Sequence, residues 1–224
     1  MNSSWRTEIA AIFRKEWRTE VRSLSGLLTG LLFSIVSVYT ITLAAFNEAQ
    51  SGTVKSGMLW VAILFSAATS LTRTFLAEEE HGTADLLRLT ARPHAVFWGK
   101  SLFNIVQSLV TATVLSLLYL AFTSTHVAIP WLFVVSLIGG CLSLAGAVTL
   151  CGAIASQASN RSMLAAAIAV PLLLPLVALG VTGMRVSLGD GLLRSGESAA
   201  VGLVGYAVAT LATGPYIFAA VWKT

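Results

Sequence analysis

Few residues in this chain have side chains that could do chemistry, and none of them form a recognisable catalytic or metal-binding motif. The three histidines are far apart in the sequence, at His81, His94 and His126. Each histidine could be a haem or metal ligand only on its own, because no second histidine lies at the spacing of a His-Glu-x-x-His pair. The sequence also lacks the Gly-x-x-x-x-Gly-Lys-Ser/Thr loop that binds phosphate. We therefore expect no catalytic residue, no metal site and no enzyme activity in this chain.

The rest of the sequence explains why chemistry is so sparse, since most of it is apolar enough to lie in a membrane. Of the 224 residues, 56% are hydrophobic and 11% are charged. Six apolar stretches match the length of membrane-spanning helices, which is about 20 residues. Their continuous apolar runs favour helices over the alternating strands of a barrel. The sequence predicts an all-α membrane protein, a single domain over 1–224, with spans at about 26–46, 57–77, 101–122, 131–156, 163–183 and 199–222.

Charged residues in the loops indicate how the predicted spans are oriented. With the N-terminus inside, 11 of the 14 Lys and Arg residues fall on the inner side, and only Lys55, Arg185 and Arg194 on the outer side. Positive residues accumulate on the cytoplasmic side of membrane proteins, so we expect both termini in the cytoplasm. The six tryptophans, Trp60 among them, lie near predicted span ends, where indole rings favour the membrane interface.

Two predicted spans carry residues that shape helix packing. The fourth has a small residue at every fourth position, including Gly139, Ser143 and Ala147, and such a ridge favours a close helix–helix contact. The fifth carries Pro171 and Pro175, each of which removes a backbone donor and bends a helix. The prolines fit either a fixed kink that shapes the bundle or a kink that moves or lines a pathway.

The segment before the first span, about residues 4–22, has the pattern of an amphipathic helix in the membrane interface. One side of the helix is apolar, and the other carries basic residues such as Arg14 and Arg18. Glu16 and Glu20 interrupt the apolar side. Two interpretations stay open. The segment is either a basic flank that orients the first span, or a helix whose two glutamates bond to the bundle or to a partner.

The predicted spans contain almost no ionisable residues. Arg73 lies about one turn from the inner end of the second span, and the other five spans have none in their interiors. Ionisable residues inside a membrane mark most proton and ion routes. A chain without them is a poor candidate for an ion-coupled pump, so any transport by this protein must draw its energy from a partner.

The longest predicted inner loop, residues 77–100, is the most informative segment. Gly82 breaks the helix that precedes it, and Thr83 can cap a new short helix with Asp85 in its first turn. This helix, about residues 84–89, carries three leucines in polar surroundings, at Leu86, Leu87 and Leu89. Leucine side chains in such surroundings favour burial against another surface. They fit either the membrane interface or a groove on a soluble partner.

This loop resembles the loop between the second and third spans of ABC-2-type permeases, through Phe75, Glu79, residues 82–87, Pro93, Gly99 and Lys100. In that family the loop holds a coupling helix that contacts the nucleotide-binding subunit. The resemblance implies that an ATPase docks on Glu79, Gly82, Thr83, Asp85, Leu86 and Leu87. Two further segments, 59–62 and 170–176, are similar to the haem exporter protein B (CcmB) family of bacterial cytochrome c maturation.

The resemblance implies the permease subunit of an ABC transporter in the bacterial inner membrane. ATP would be used by a cytoplasmic ABC ATPase subunit, haem would be a candidate passenger, and the chain would hold no cofactor of its own. The implied partners are that ATPase, other cytochrome c maturation membrane subunits, membrane lipid and a second or related chain in a dimer or pseudo-dimer. Nucleic acid is not expected, because the basic residues are not interleaved with aromatic ones. Two alternatives stay open: an ABC-2 exporter subunit for a drug or lipid, and a non-transporting membrane scaffold.

Overall fold

A computed structural model describes residues 5–23, 25–44, 51–71, 82, 87, 89–155 and 161–222. These residues form long α-helices joined by short connections, and no β-strand occurs within the ranges given. The seven helices are α1 (Trp5–Ser23), α2 (Ser25–Ala44), α3 (Gly52–Leu71), α4 (Pro93–Thr123), α5 (Pro130–Ala155), α6 (Arg161–Ser187) and α7 (Leu193–Trp222).

The helices have the length and apolarity of a membrane protein. Among the residues that the structure describes, α4 to α7 are each long and apolar enough to cross a membrane, and α3 has a shorter apolar segment, Gly52–Ala67. The prediction of an all-helical membrane protein is confirmed, and the count of six spans stays a prediction. One boundary differs clearly: α4 begins at Pro93 rather than near residue 101, because proline is favoured in the first turn of a helix. Lys100 therefore lies within a helix rather than in a loop.

Helix α5 is the centre of the bundle. It packs against α3, α4, α6 and α7, and 78% of its apolar segment is buried, against 28% for α4 and α6 and 33% for α7. Two members of the ridge of small residues, Gly139 and Ser143, contact α7. The Ser143 hydroxyl donates to the Leu203 carbonyl at 2.8 Å, and a Cβ on Gly139 would lie 3.2 Å from the Cβ of Leu203. Small side chains thus let the two helices approach closely.

Trp60 corrects the sequence interpretation of the tryptophans. It does not lie at an exposed interface, because it is 1% exposed within α3 and belongs to the main apolar core. Its indole ring occupies the space over two glycines, Gly140 on α5 and Gly180 on α6, where any Cβ would overlap it. Sequence alone did not separate an anchoring tryptophan from a buried one, since only the two distant glycines make room for the ring.

The two prolines of the predicted fifth span lie inside α6, which continues through both. Tyr206 of α7 donates its hydroxyl to the carbonyl of Leu172, between the prolines, at 2.6 Å. A hydrogen bond from a neighbouring helix therefore holds the segment whose own ladder the prolines interrupt.

The loop between α6 and α7 supplies a cap for α3. The backbone N–H of Thr53 donates to the Asp190 carboxylate at 3.1 Å, and the Thr53 hydroxyl lies 3.4 Å from the same oxygen. A carboxylate in this position satisfies a free N–H group and complements the helix dipole. The predicted outer loops contain no local motif for this contact, because the cap and the helix are far apart in the sequence.

We predict that Asp190→Ala lowers the free energy of unfolding by about 1 kcal/mol, because it removes the acceptor that caps α3. Thermal unfolding of the purified protein in detergent measures the effect. Asp190→Asn is the matched control, since its amide oxygen still accepts, and it should lose less stability. Equal losses in the two variants would contradict the capping role.

Candidate functional site

An apolar cluster at one end of the bundle joins four helices to the loop between α3 and α4. We call it the α1 cluster. Its members come from α1, the first turns of α4, the last turns of α5 and α7, and the loop. The buried members are Ile12, Ala95, Val96, Phe97, Ala153, Phe218 and Trp222, with Ile9, Leu87 and Ala91 packed against them. The cluster is the structural link between the loop and the bundle.

Aromatic rings and glycines determine how closely these helices pack. Phe97 and Phe218 have ring centroids 6.1 Å apart, and Phe218 and Trp222 are 4.7 Å apart. Gly99 on α4 lies directly against α1, since a Cβ there would be 2.7 Å from Ile12. The absence of a side chain at Gly99 lets α1 lie against the backbone of α4.

A buried ion pair joins α1 to α4 beside this contact. The Lys100 ammonium donates to the Glu16 carboxylate at 3.0 Å. The Lys100 side chain is 1% exposed and that of Glu16 is 17% exposed. A buried ammonium is costly without a counter-charge, so Lys100 requires Glu16. Glu16 also has Lys15 at 3.7 Å. Of the two interpretations of the N-terminal segment, the structure supports the one in which Glu16 bonds to the bundle.

A second ion pair lies two turns earlier along both helices. Arg92 Nε is 3.8 Å from Glu8 Oε1, and the Arg92 side chain is 65% exposed. Eight residues separate the two acids, and eight separate the two bases. The two segments therefore run side by side in the same direction over about 12 Å. This shared spacing is a sequence signal that could have predicted the α1–α4 contact.

The structure describes only part of the predicted docking set. Glu79, Thr83, Asp85 and Leu86 lie outside the described residues. Gly82 has a φ of +64°, in the left-handed region that favours glycine at the end of a helix. Leu87 is half-buried against the α1 cluster, and its carbonyl accepts from the Ala91 N–H at 3.0 Å.

Leu87 and Leu89 have opposite environments. Leu89 is 85% exposed, whereas Leu87 packs onto the bundle. Residues two positions apart in a helix point in directions about 200° apart, so Leu87 and Leu89 face opposite sides. The loop thus has one leucine that holds it to the bundle and another that is free to contact something else.

A stripe of buried polar residues along α4 did not emerge from the sequence. Asn104 donates its amide N–H to the Thr149 hydroxyl of α5 at 2.9 Å. Ser101, Asn104 and Thr111 are all buried within the bundle. These uncharged side chains are three and seven residues apart, which places them on one face of a helix, and this spacing was the signal available in the sequence.

The histidines that the structure describes do not form a metal centre. His94 is exposed and packs edge-on against Tyr216 with ring centroids 5.6 Å apart. His126 is exposed in the connection between α4 and α5, and His81 lies outside the described residues. Within the described ranges, no three His, Cys, Asp or Glu side chains come together.

Comparison with known proteins gives the family. The model of the CcmB protein family matches residues 7–224 of this chain. A relative from Bradyrhizobium diazoefficiens, described as heme exporter protein B, is 28% identical over 88 residues, which cover 39% of this chain and 40% of the relative. This pairwise match spans less than half of the relative, whereas the family match spans almost the whole of this chain. The chain belongs to the CcmB protein family.

Proposed function

We propose that this chain is the permease subunit of an ABC transporter complex that serves haem export, or release of a haem-loaded chaperone, in cytochrome c maturation. Family membership and the name of the relative, heme exporter protein B, support this proposal. ATP hydrolysis takes place on a separate ATPase subunit, and this chain contributes no catalytic residue and no nucleotide site. The name of the relative is the reason that we propose haem as the passenger. The apolar bundle is compatible with an apolar passenger.

The proposed topology has six spans in the bacterial inner membrane with both termini in the cytoplasm. Helices α2 to α7 are the spans, and α1 lies in the membrane interface. The distribution of Lys and Arg supports this orientation, with 11 of the 14 on the inner side. The α1 cluster, which contains residues close to both ends of the chain, then lies at the cytoplasmic end of the bundle.

Contacts within the α1 cluster support the proposal that the loop between α3 and α4 couples the bundle to the ATPase. Leu87 of that loop packs against a cluster built from α1, α4, α5 and α7. A displacement of the loop would therefore reach several helices at once, since packed side chains transmit movement with little compression. The buried Lys100–Glu16 pair makes α1 part of the same unit.

Leu89 is the residue we propose as the contact with the ATPase, together with Glu79, Gly82, Thr83, Asp85 and Leu86 from the resemblance. It is 85% exposed, whereas Leu87 and Ala91 on either side of it pack against the α1 cluster. Interfaces place exposed apolar side chains in a partner's pocket. Leu87 has the complementary role of holding the loop to the bundle.

We predict that Leu89→Asp reduces co-purification of the ATPase subunit by about tenfold or more, because a carboxylate would enter an apolar contact worth about 1.4 kcal/mol or more. The protein should keep its thermal unfolding midpoint, since Leu89 makes little contact with the bundle. Quantitative pull-down in mild detergent, with thermal unfolding in parallel, measures both quantities.

Leu192→Asp is the matched control for this prediction. Leu192 is a 79%-exposed leucine in the loop between α6 and α7, which the proposed topology places outside. The control should retain the ATPase. Undiminished association of Leu89→Asp would contradict the coupling-loop proposal, as would equal losses in the two variants.

The identity of the passenger is tested in a bacterial strain that does not produce this chain. We expect loss of c-type cytochromes, restored by the wild-type chain and not restored when the ATPase partner is inactive. Normal cytochromes with altered export of a drug or lipid would favour the alternative exporter. Dependence on this chain without dependence on ATP hydrolysis would favour the scaffold.

The functional assembly that we propose contains two copies of this chain, or one copy and a related chain, with the ATPase and other cytochrome c maturation subunits in the lipid bilayer. A six-span permease is half of a two-fold transporter by analogy with its class. Exposed apolar side chains on α4, such as Leu102, Val110 and Leu117, provide surface for lipid or for these partners.

A further inference from the structure

A small cavity with one polar wall lies where α3, α4 and α5 meet. Its volume is about 20 Å³. The polar residues that line it are Ser66 from α3 and Asn104, Ser108 and Thr111 from α4, and the rest of its lining is apolar. Asn104 and Thr111 are each 4% exposed, whereas Ser108 is half-buried. The proposed coupling contacts do not use these residues.

Two of the hydroxyl groups in this wall direct their protons to the backbone of their own helix. Ser108 Oγ donates to the Ile105 carbonyl at 3.0 Å, the shorter of its two contacts, since the Cys141 carbonyl of α5 is 3.4 Å away. Thr111 Oγ1 donates to the Gln107 carbonyl. A hydroxyl that has used its proton keeps lone pairs that accept hydrogen bonds. The cavity therefore offers two acceptors to a small molecule that can donate two protons.

We propose that this cavity holds one water molecule, which donates to Ser108 and Thr111 and lies between α3, α4 and α5. A water molecule needs a cavity of at least about 10 to 15 Å³ and two to four polar partners, and this cavity meets both requirements. The residues that line it carry no charge, so a bare ion would have no counter-charge there.

The position of the water gives it a role that rests on the proposed function. Helices α3 and α4 flank the coupling loop, and the water lies between them. Hydrogen bonds to water can be exchanged without repacking, whereas close-packed side chains resist displacement. The water is a spacer that allows α3 and α4 to shift relative to each other when the loop moves.

A density map of the wild-type complex, at a resolution that shows ordered solvent, tests the water directly. We expect a peak within hydrogen-bond distance of Ser108 Oγ and Thr111 Oγ1. A map that shows other buried waters and none at this position overturns the proposal. This measurement does not depend on the passenger or on the ATPase.

Two substitutions at one position test the spacer role. Ser108→Ala leaves room for the water, with Thr111 and Asn104 still in the wall, whereas Ser108→Val fills the space. We expect c-type cytochrome formation close to wild type in Ser108→Ala and several-fold lower in Ser108→Val, at similar thermal unfolding midpoints. Equal cytochrome formation in the two variants, with the peak absent in Ser108→Val, overturns the spacer role.

The two proposals fail in different ways. If deletion of the whole chain leaves c-type cytochromes unchanged, the proposed function is wrong and a peak in the map still supports the water. If deletion abolishes them and the map has no peak, the proposed function stands and the water is overturned. The wild-type density map shows whether the cavity holds the water even if Ser108→Val fails to fold.

Discussion

Lys100→Glu is expected to prevent stable folding, and adding Glu16→Lys to the same chain is expected to restore it. The single change places two carboxylates next to each other where Lys100 is 1% exposed and Glu16 is 17% exposed. Breaking a buried ion pair by changing one partner costs about 3 to 5 kcal/mol. That is a large part of the total stability of a typical protein, which is about 5 to 15 kcal/mol.

The measurement is the yield of monodisperse protein in detergent and its thermal unfolding midpoint, together with c-type cytochrome formation. We expect both single variants, Lys100→Glu and Glu16→Lys, to lose most of the folded protein. In the double variant the charges are exchanged across the same gap, so yield and cytochrome formation should recover together. Failure of the double variant to exceed either single one would show that the pair is not what joins α1 to α4.

The second ion pair between the same helices gives a matched control. Arg92 is 65% exposed and 3.8 Å from Glu8. Exposed pairs of this kind contribute about 0 to 1 kcal/mol. Arg92→Glu, which reverses the charge in the same way, should therefore change the unfolding midpoint only slightly. A loss as large as that of Lys100→Glu would mean that charge anywhere along the α1–α4 contact matters, rather than charge buried at Lys100.

The second large effect is expected at Trp60. Trp60→Ala should lower the free energy of unfolding by about 3 to 5 kcal/mol, because it leaves a cavity where α3, α5 and α6 meet. Gly180→Ala should lower it by about 1 to 3 kcal/mol for the opposite reason, since the new Cβ would overlap the indole ring. Thermal or denaturant unfolding of purified protein measures both.

Combining the two changes separates a specific contact from general damage. In a chain with both Trp60→Ala and Gly180→Ala, the new methyl group at Gly180 enters space that the indole has left. The double variant should lose less stability than the sum of the single losses. Gly205→Ala is the control, because a Cβ there meets no atom within 4 Å, and it should be neutral or slightly stabilising. Strict additivity of the first two changes would contradict the packing described here.

Features with local or periodic causes could be predicted from the sequence. Continuous apolar runs predicted the helices. The spacing of Gly139 and Ser143 predicted a close contact of some kind, and it did not identify α7 as the partner. The resemblance of the loop around Gly82, together with that of segments 59–62 and 170–176, placed the chain in the right family. Each of these depends on residues close together in the sequence, where propensity and spacing act directly.

Features that depend on distant residues could not be predicted in the same way. The Asp190 cap on α3 and the place of Trp60 over Gly140 and Gly180 arise only when separate helices meet. The opposite environments of Leu87 and Leu89 likewise depend on where α1 and α7 lie. Tertiary contacts determine the environment of these residues, because each side chain could pack against several different partners until the helices come together.

The alignment of α1 against α4 restricts where the chain tolerates insertions and deletions. One residue added between Ile12 and Glu16 would rotate the Glu16 carboxylate by about 100° relative to Ile12, so Glu16 could not meet Lys100 while Ile12 lies against Gly99. The exposed Glu8–Arg92 pair contributes little, so changes of length before Ile9 should be tolerated. An N-terminal fusion should therefore be compatible with a correctly aligned α1.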